Sequence, residues 1–274
     1  MLTLRRNMLS ISMCIDDLSI FQLSRQFPKK SSFGKTYRPG QAEKGGNMAK
    51  INIDDGFKSE FVETAFFDGV LEIPMIARPR KLIVPEFMVP FTAREKADPS
   101  SSFVVFYEYD NTFSNILQNP SRYTDDLKRF LGVVSLDNSL YVDSPLTVQI
   151  ANTYRSRAIG YHFQKNGLYV VPNVRWGDER SYTTSVLPEK FAFLGLPKHS
   201  IYSVGTYGCC KTAEERYHLR NGLISMIEDL EPEIILIYGS MPDSVFHGLT
   251  SLTRFIQFPD WITLKKGGLP YGNR

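Results

Sequence analysis

From about Ser101 the chain alternates short β-branched and aromatic runs with longer amphipathic stretches, and this alternation narrows its fold more than any other feature. Residues 103–110, 132–137, 168–176, 200–205 and 233–239 read as strands. Their ends at Asp110, Asp137, Trp176, Gly205 and Gly239 lie 27, 39, 29 and 34 residues apart, about one strand-plus-helix unit each. The intervening stretches carry helix signals. Pro120 divides the first into two pieces. Asp143-Ser144-Pro145 opens the second, which Asn166-Gly167 stops. A weaker helical segment follows from Ser181 to Phe193. Thr212-Ala213-Glu214-Glu215 has the spacing of a capping box ahead of a stripe of Leu219, Leu223, Ile227 and Leu230. A sixth strand is expected at Lys81 to Phe87, at an edge because Pro79 and Pro85 flank it.

Near-continuous apolar strands separated by helices imply an α/β fold with a parallel sheet covered on both faces. Six such units fall short of the eight of a complete barrel, so the expected architecture is a partial or distorted βα barrel, with an open doubly wound parallel sheet as the alternative.

The organisation expected along the chain is a leader at 1–47, an irregular segment with a possible edge strand at 48–100, an α/β core at 101–260 and a tail at 261–274. Residues 22–50 are polar, turn-rich and aperiodic, the mark of a disordered tail. The alternative is a translated leader: Lys44-Gly45-Gly46-Asn47 before Met48 can be encoded by a purine-rich ribosome-binding sequence, which makes Met48 the expected true start. The nucleotide sequence across codons 44–48 decides between the two.

That boundary changes the charge argument. The whole chain carries a formal charge of +3, but eight basic and three acidic residues precede Met48, and 24 basic face 26 acidic from there on. The net charge of residues 48–274 therefore gives no support to a nucleic-acid partner. Asp16 and Asp17 interrupt the apolar stretch near the start, which fits an export signal poorly, and no apolar run approaches the length of a membrane span. Cys14, Cys209 and Cys210 cannot form a paired framework and lack zinc spacing, so a reducing, cytoplasmic setting is expected.

Several stretches carry a family resemblance: Val133 with Ser135-Leu136-Asp137, Asp143-Ser144-Pro145 through Asn152-Thr153-Tyr154-Arg155-Ser156-Arg157 and Gly160, Val171 to Trp176, Ser203 to Thr206 with Gly208, and Pro232 to Ser240. Together these resemble the bacterial and phage family described as domain of unknown function 4417, over roughly residues 65–260. The resemblance implies a setting in phages, plasmids or other mobile elements. It brings no activity and no site residue.

In parallel α/β folds ligands sit outside the carboxyl ends of the strands. Here those ends carry Asp110, Asp137, Asn138, Asn173, Arg175, Trp176, Asp178, Glu179, Thr206, Tyr238 and Ser240. Asp110, Asp137 and Asp178 are the candidate catalytic carboxylates, suited to acid–base work or to a divalent metal; the alternative is that they cap helices or turns. Asn138, Asn173, Arg175, Glu179, Gly205, Thr206 and Tyr238 are candidate ligand contacts, and Trp176 is either a stacking surface or a core plug. Gly205-Thr206-Tyr207-Gly208 offers backbone amides to a phosphate or forms a tight turn; Cys210 stands where a P-loop needs glycine. A nucleophile within Cys209-Cys210 would need a lowered thiol pKa. The four histidines show no metal spacing, and His162 and His218 read as surface or packing residues of helices. An enzyme, a hydrolase or transferase acting on a nucleotide, nucleic acid or sugar-like ligand, is the leading expectation. A non-catalytic interaction protein is the alternative.

Overall fold

The computed structural model describes residues 59–266. The expected leader and the Met48 start lie outside the described residues, as does the end of the tail. A short helix α1 (Ser59–Val62) precedes an antiparallel ribbon of β1 (Phe67–Asp68) and β2 (Ile73–Pro74). Seven parallel strands follow: β3 (Phe87–Pro90), β4 (Ser102–Val105), β5 (Gly132–Val134), β6 (Val170–Val171), β7 (Ile201–Gly205), β8 (Ile234–Tyr238) and β9 (Arg254–Phe258). They lie side by side in sequence order as two sheets, β3–β6 and β7–β9. A parallel bridge between Asn173 and Ser203 joins the two, with Val174 N donating to Ser203 O and Ser203 N to Pro172 O. The order contains no reversal, the feature that defines a doubly wound sheet.

Side-chain alternation shows how the sheet curves. Phe103 and Val105 of β4, Val134 of β5, Val171 of β6 and Leu236 of β8 turn to one face, where they join Met88, Ile201 and Phe258 in a single cluster. All seven strands feed this interior. The intervening residues point outward in two separate layers. Val104, Val133 and Val170 meet the helices α2 (Asp110–Gln118), α3 (Ser121–Leu127) and α4 (Leu146–Lys165). Tyr202, Ile235 and Ile237 meet α6 (Ala213–Leu230) and α7 (Asp243–Phe246). The fold is α/β, with parallel strands alternating with helices in an arrangement compatible with a partial βα barrel or an open parallel sheet; among the described residues no pairing closes β9 onto β3.

Two helix signals match, and α4 begins at Leu146 with Pro145 at its N-cap and no side-chain cap hydrogen bond, so the expected Asp143-Ser144 cap does not form. The first stretch breaks at Pro120 into α2 and α3. The capping box at Thr212 forms, its hydroxyl accepting from Glu215 N while Glu215 accepts from Thr212 N. Three further expectations need correction. The strand placed at 81–87 begins only at Phe87, past Pro85, and runs through Pro90. The helix placed at 181–193 is one turn, α5 (Glu179–Tyr182), since the following Thr-Thr-Ser segment with Pro188 cannot sustain a helix. The strand β9 was not expected, and residues 261–266 of the tail form α8 (Trp261–Lys266).

Trp176 is a buried plug in this architecture. Its indole N–H donates to His218 O at 3.0 Å and the ring lies against Gly222 of α6, where a Cβ would come within 2.2 Å of the indole. Gly222→Ala is therefore expected to destabilise the protein by about 1–2 kcal/mol despite alanine's higher helix propensity. An unchanged thermal midpoint would refute the close approach.

Candidate functional site

The loops after the strand ends enclose a cavity of about 590 Å³ at the carboxyl ends of the parallel strands. Residues from the ends of every parallel strand except β9 itself line it, and Asp260 and Trp261 close that side. Its floor holds Asp137, which follows β5, and Arg175, which follows β6. Asp137 Oδ1 accepts from Asn173 Nδ2 at 2.8 Å, and Oδ2 lies 3.5 Å from Arg175 Nη1. The Asp137 side chain is 8% exposed and that of Arg175 22%. Burial pushes the Asp137 carboxyl above the usual aspartate range against the pull of Arg175 and Asn173, and the Asp110 charge adds to the rise. Asp137 in turn raises the pKa of Arg175.

Tyr107 and Tyr238 stack beside this pair with centroids 5.1 Å apart and planes 19° from parallel. Gly205 makes room for them: a Cβ there would lie 2.4 Å from the Tyr107 ring. The Tyr107 hydroxyl donates to Asn173 Oδ1 at 3.1 Å and lies 2.7 Å from Ser203 Oγ, which can donate to it. Burial, then the Asp137 charge, raises the Tyr107 pKa well above its ordinary value, so it stays a neutral donor. Asn173 is thus the hub of the floor. Its backbone carbonyl is held by Arg157 of α4 at 2.9 Å, its amide by Ser135 Oγ, and its side chain bridges Tyr107 and Asp137. Arg157 carries no candidate role in the sequence, yet it positions this hub.

The three candidate carboxylates separate. Asp110 lies close enough to act on Asp137 electrostatically, but Ser139 occupies both of its oxygens, through the amide at 3.1 Å and the hydroxyl at 2.7 Å. Asp178 caps α5 and pairs with Arg180. Burial opposes its charge, but the Arg180 hydrogen bonds outweigh burial and hold its carboxyl below the usual range. Neither lines the cavity; Asp137 does. Among the described residues no group of three or more His, Cys, Asp or Glu side chains is placed to hold a metal ion.

The remaining candidates divide similarly. Arg175, Trp176, Gly205 and Tyr238 line the cavity. Thr206 is buried in the structure, donating to Ser240 O at 2.7 Å, and the segment after it is a turn closed by Cys209 N on Thr206 O with Gly208 at φ +80°. Asn138 is buried outside the cavity, and its Oδ1 meets no hydrogen-bond partner among the described residues. Glu179 is exposed, 3.7 Å from His218 Nδ1. Burial raises the Cys210 pKa, whereas Cys209 lies on the cavity wall close enough to Arg175 to act on its charge.

His218 is the functional candidate that sequence reasoning missed. It lines the cavity; its Nδ1 sits 3.0 Å from the Tyr182 hydroxyl with Glu179 beyond, and Nε2 meets no hydrogen-bond partner among the described residues. The partners that fix the ring are 36 and 39 residues away, so no local spacing announces it. Asp137 and His218 together give the cavity two groups able to exchange protons.

No helix among the described residues is long and apolar enough to cross a membrane. The family model described as "Domain of unknown function (DUF4417)" matches residues 65–259. The "Gene 1 protein" of Mycobacterium phage L5 is 27% identical over 148 residues, 54% of this chain and 62% of that protein. The "Gene 1 protein" of Mycobacterium phage D29 is 25% identical over 148 residues, covering 54% and 52%. The chain thus spans less than two thirds of the length of either relative. No solved structure matches the chain.

Proposed function

Since the chain belongs to the family described as domain of unknown function (DUF4417) and has phage relatives, we propose that it is a cytoplasmic enzyme of a mobile element, a hydrolase or transferase acting on a nucleotide or sugar-like ligand in the cavity at the strand ends. The buried Asp137–Arg175 pair on the floor of the aromatic cavity carries this reading. Convergent polar groups with perturbed pKa in a pocket of this size mark ligand sites. In this scheme the pair orients the ligand, and His218 moves a proton.

A second reading, a non-catalytic interaction protein, draws on Asp110 and Asp178, whose carboxylates are taken up by Ser139 and Arg180, and on the exposed Tyr109, Tyr141 and Tyr207 at the rim. Thermal-shift screening of the full chain against nucleotides, sugars and divalent metals tests both. Stabilisation by a nucleotide or sugar that is lost in Asp137→Asn is expected. Mass spectrometry then shows whether the bound compound is converted, as the enzyme reading requires, or recovered intact, as the interaction reading requires. No stabilising compound at all would overturn the enzyme reading.

A further inference from the structure

Carboxylates dominate the cavity wall. Asp137, Glu108, Glu215 and Asp260 line it, against Arg175 and Lys211. In a parallel α/β fold a phosphate is commonly taken up by free backbone amides at the amino terminus of a helix. Here the chain's own carboxylates occupy those amides. Glu215 Oε2 accepts from Lys211 N at 2.6 Å and from Thr212 N at 2.9 Å ahead of α6. Asp260 Oδ1 accepts from Ile262 N and Thr263 N, each at 3.0 Å, at the start of α8. Glu108 accepts from Thr92 N at 3.2 Å and from the Thr92 hydroxyl, just past β3. Burial opposes the Asp260 charge, but the hydrogen bonds from Thr263 and Ile262 outweigh it and hold the carboxyl below the usual aspartate range. Arg175 already faces Asp137 at 3.5 Å, which leaves Lys211 against the other three carboxylates. The same cavity offers a ligand the stacked Tyr107 and Tyr238 and also His218, which is 8% exposed and has no partner for Nε2 among the described residues.

We propose that the cavity takes an uncharged polyhydroxylated ligand, a nucleoside or a free sugar, and rejects the phosphorylated form of the same compound. This rests on the cavity being a ligand site and narrows its ligands to unphosphorylated ones. The Arg175–Asp137 pair serves any neutral edge that joins a donor to an acceptor, so the selection comes from charge. A phosphate entering here meets carboxylates on several elements in a cavity that bulk salt screens only in part. A hydroxyl can accept from Arg175, donate to Asp137 and meet Nε2 of His218 in either tautomer.

The experiment is calorimetric titration of the full chain with adenosine, guanosine, thymidine and glucose, each beside its own monophosphate, at low and at high salt. At least one neutral compound is expected to bind about tenfold more tightly than its phosphate at low salt, and the gap should narrow as salt rises. Which pair responds distinguishes a nucleoside from a sugar. Glu215→Gln combined with Asp260→Asn removes two charges and keeps side chains able to cap both helices, so the phosphate should gain about threefold on its neutral partner. The salt dependence of the unmodified chain carries the test even where that variant folds poorly. A phosphate that binds as tightly as its neutral partner, or more tightly, would overturn the charge selection and leave the cavity as a ligand site. A gap indifferent to both salt and the double substitution would overturn the carboxylates as its cause. Silence from every probe would overturn the ligand site itself.

Discussion

Replacing Arg157 by methionine is expected to cost about 3–5 kcal/mol of folding stability, the range for stranding partners of a buried charged group. The guanidinium is buried on α4, and among the described residues no carboxylate faces it. Nη1 donates to Asn173 O at 2.9 Å, Nη2 to Ala192 O at 2.9 Å and Nε to Leu194 O at 3.0 Å. Burial brings its pKa down to about 9, which leaves it charged at neutral pH. Methionine fills the volume but leaves three inward-facing carbonyls without donors, two of them in the 190–194 segment, which has no regular structure of its own. Lysine should recover only a part, because a point ammonium cannot serve three acceptors that the planar fork reaches together. The measurement is the urea midpoint with the slope unchanged. Because Arg157 also holds the carbonyl of Asn173, a ligand's thermal shift should shrink in Arg157→Lys. A methionine variant within 1 kcal/mol of the parent would refute the staple.

The alternation of apolar runs and helices made the fold class legible. Every predicted strand from residue 101 onward overlaps an observed one, and the capping box appears where Thr212 and Glu215 place it. The strand ends were less legible, for a physical reason. Phe106, Leu136 and Val174 extend the apolar runs beyond Val105, Val134 and Val171, yet they fill the outer layers and not regular ladder positions. Burial there continues after pairing stops. The β9 strand failed in the opposite sense: Arg254 and Gln257 stay exposed on a sheet margin, so its apolar signal is short and mixed. At the site, carboxylates at strand ends were readable as a class, but their roles were not. Asp178 is claimed by a residue two positions on, Asp110 by Ser139, and Asp137 by Arg175 and Asn173; only folding brings the last two pairs together. Arg157 and His218 looked like ordinary helix residues because their partners come from other elements.

Arg175→Met should produce the second large effect, one that depends on pH in a defined direction. Asp137 is faced by Arg175, Asn173, Tyr107 and Asp110, and burial already holds its folded pKa above the unfolded value. For an aspartate raised in this way, both states are protonated at the acid extreme. Stability falls as pH rises from the unfolded pKa through the folded one. Arg175 is the largest influence opposing the rise. Without it the folded pKa climbs further, so the interval over which stability declines extends toward neutral pH. Above that interval the variant carries an unpaired buried carboxylate and should be less stable than the parent by about 3–5 kcal/mol. Acidification toward the ordinary aspartate range should close much of that gap. The double variant Asp137→Asn with Arg175→Met removes the titrating group, so its difference from the parent should vary far less with pH than that of the single variant. Urea midpoints for all three proteins between about pH 4 and 8 give the comparison. A gap between Arg175→Met and the parent that stays constant over this range would show that the carboxylate is not the buried charge on which the floor of the cavity depends.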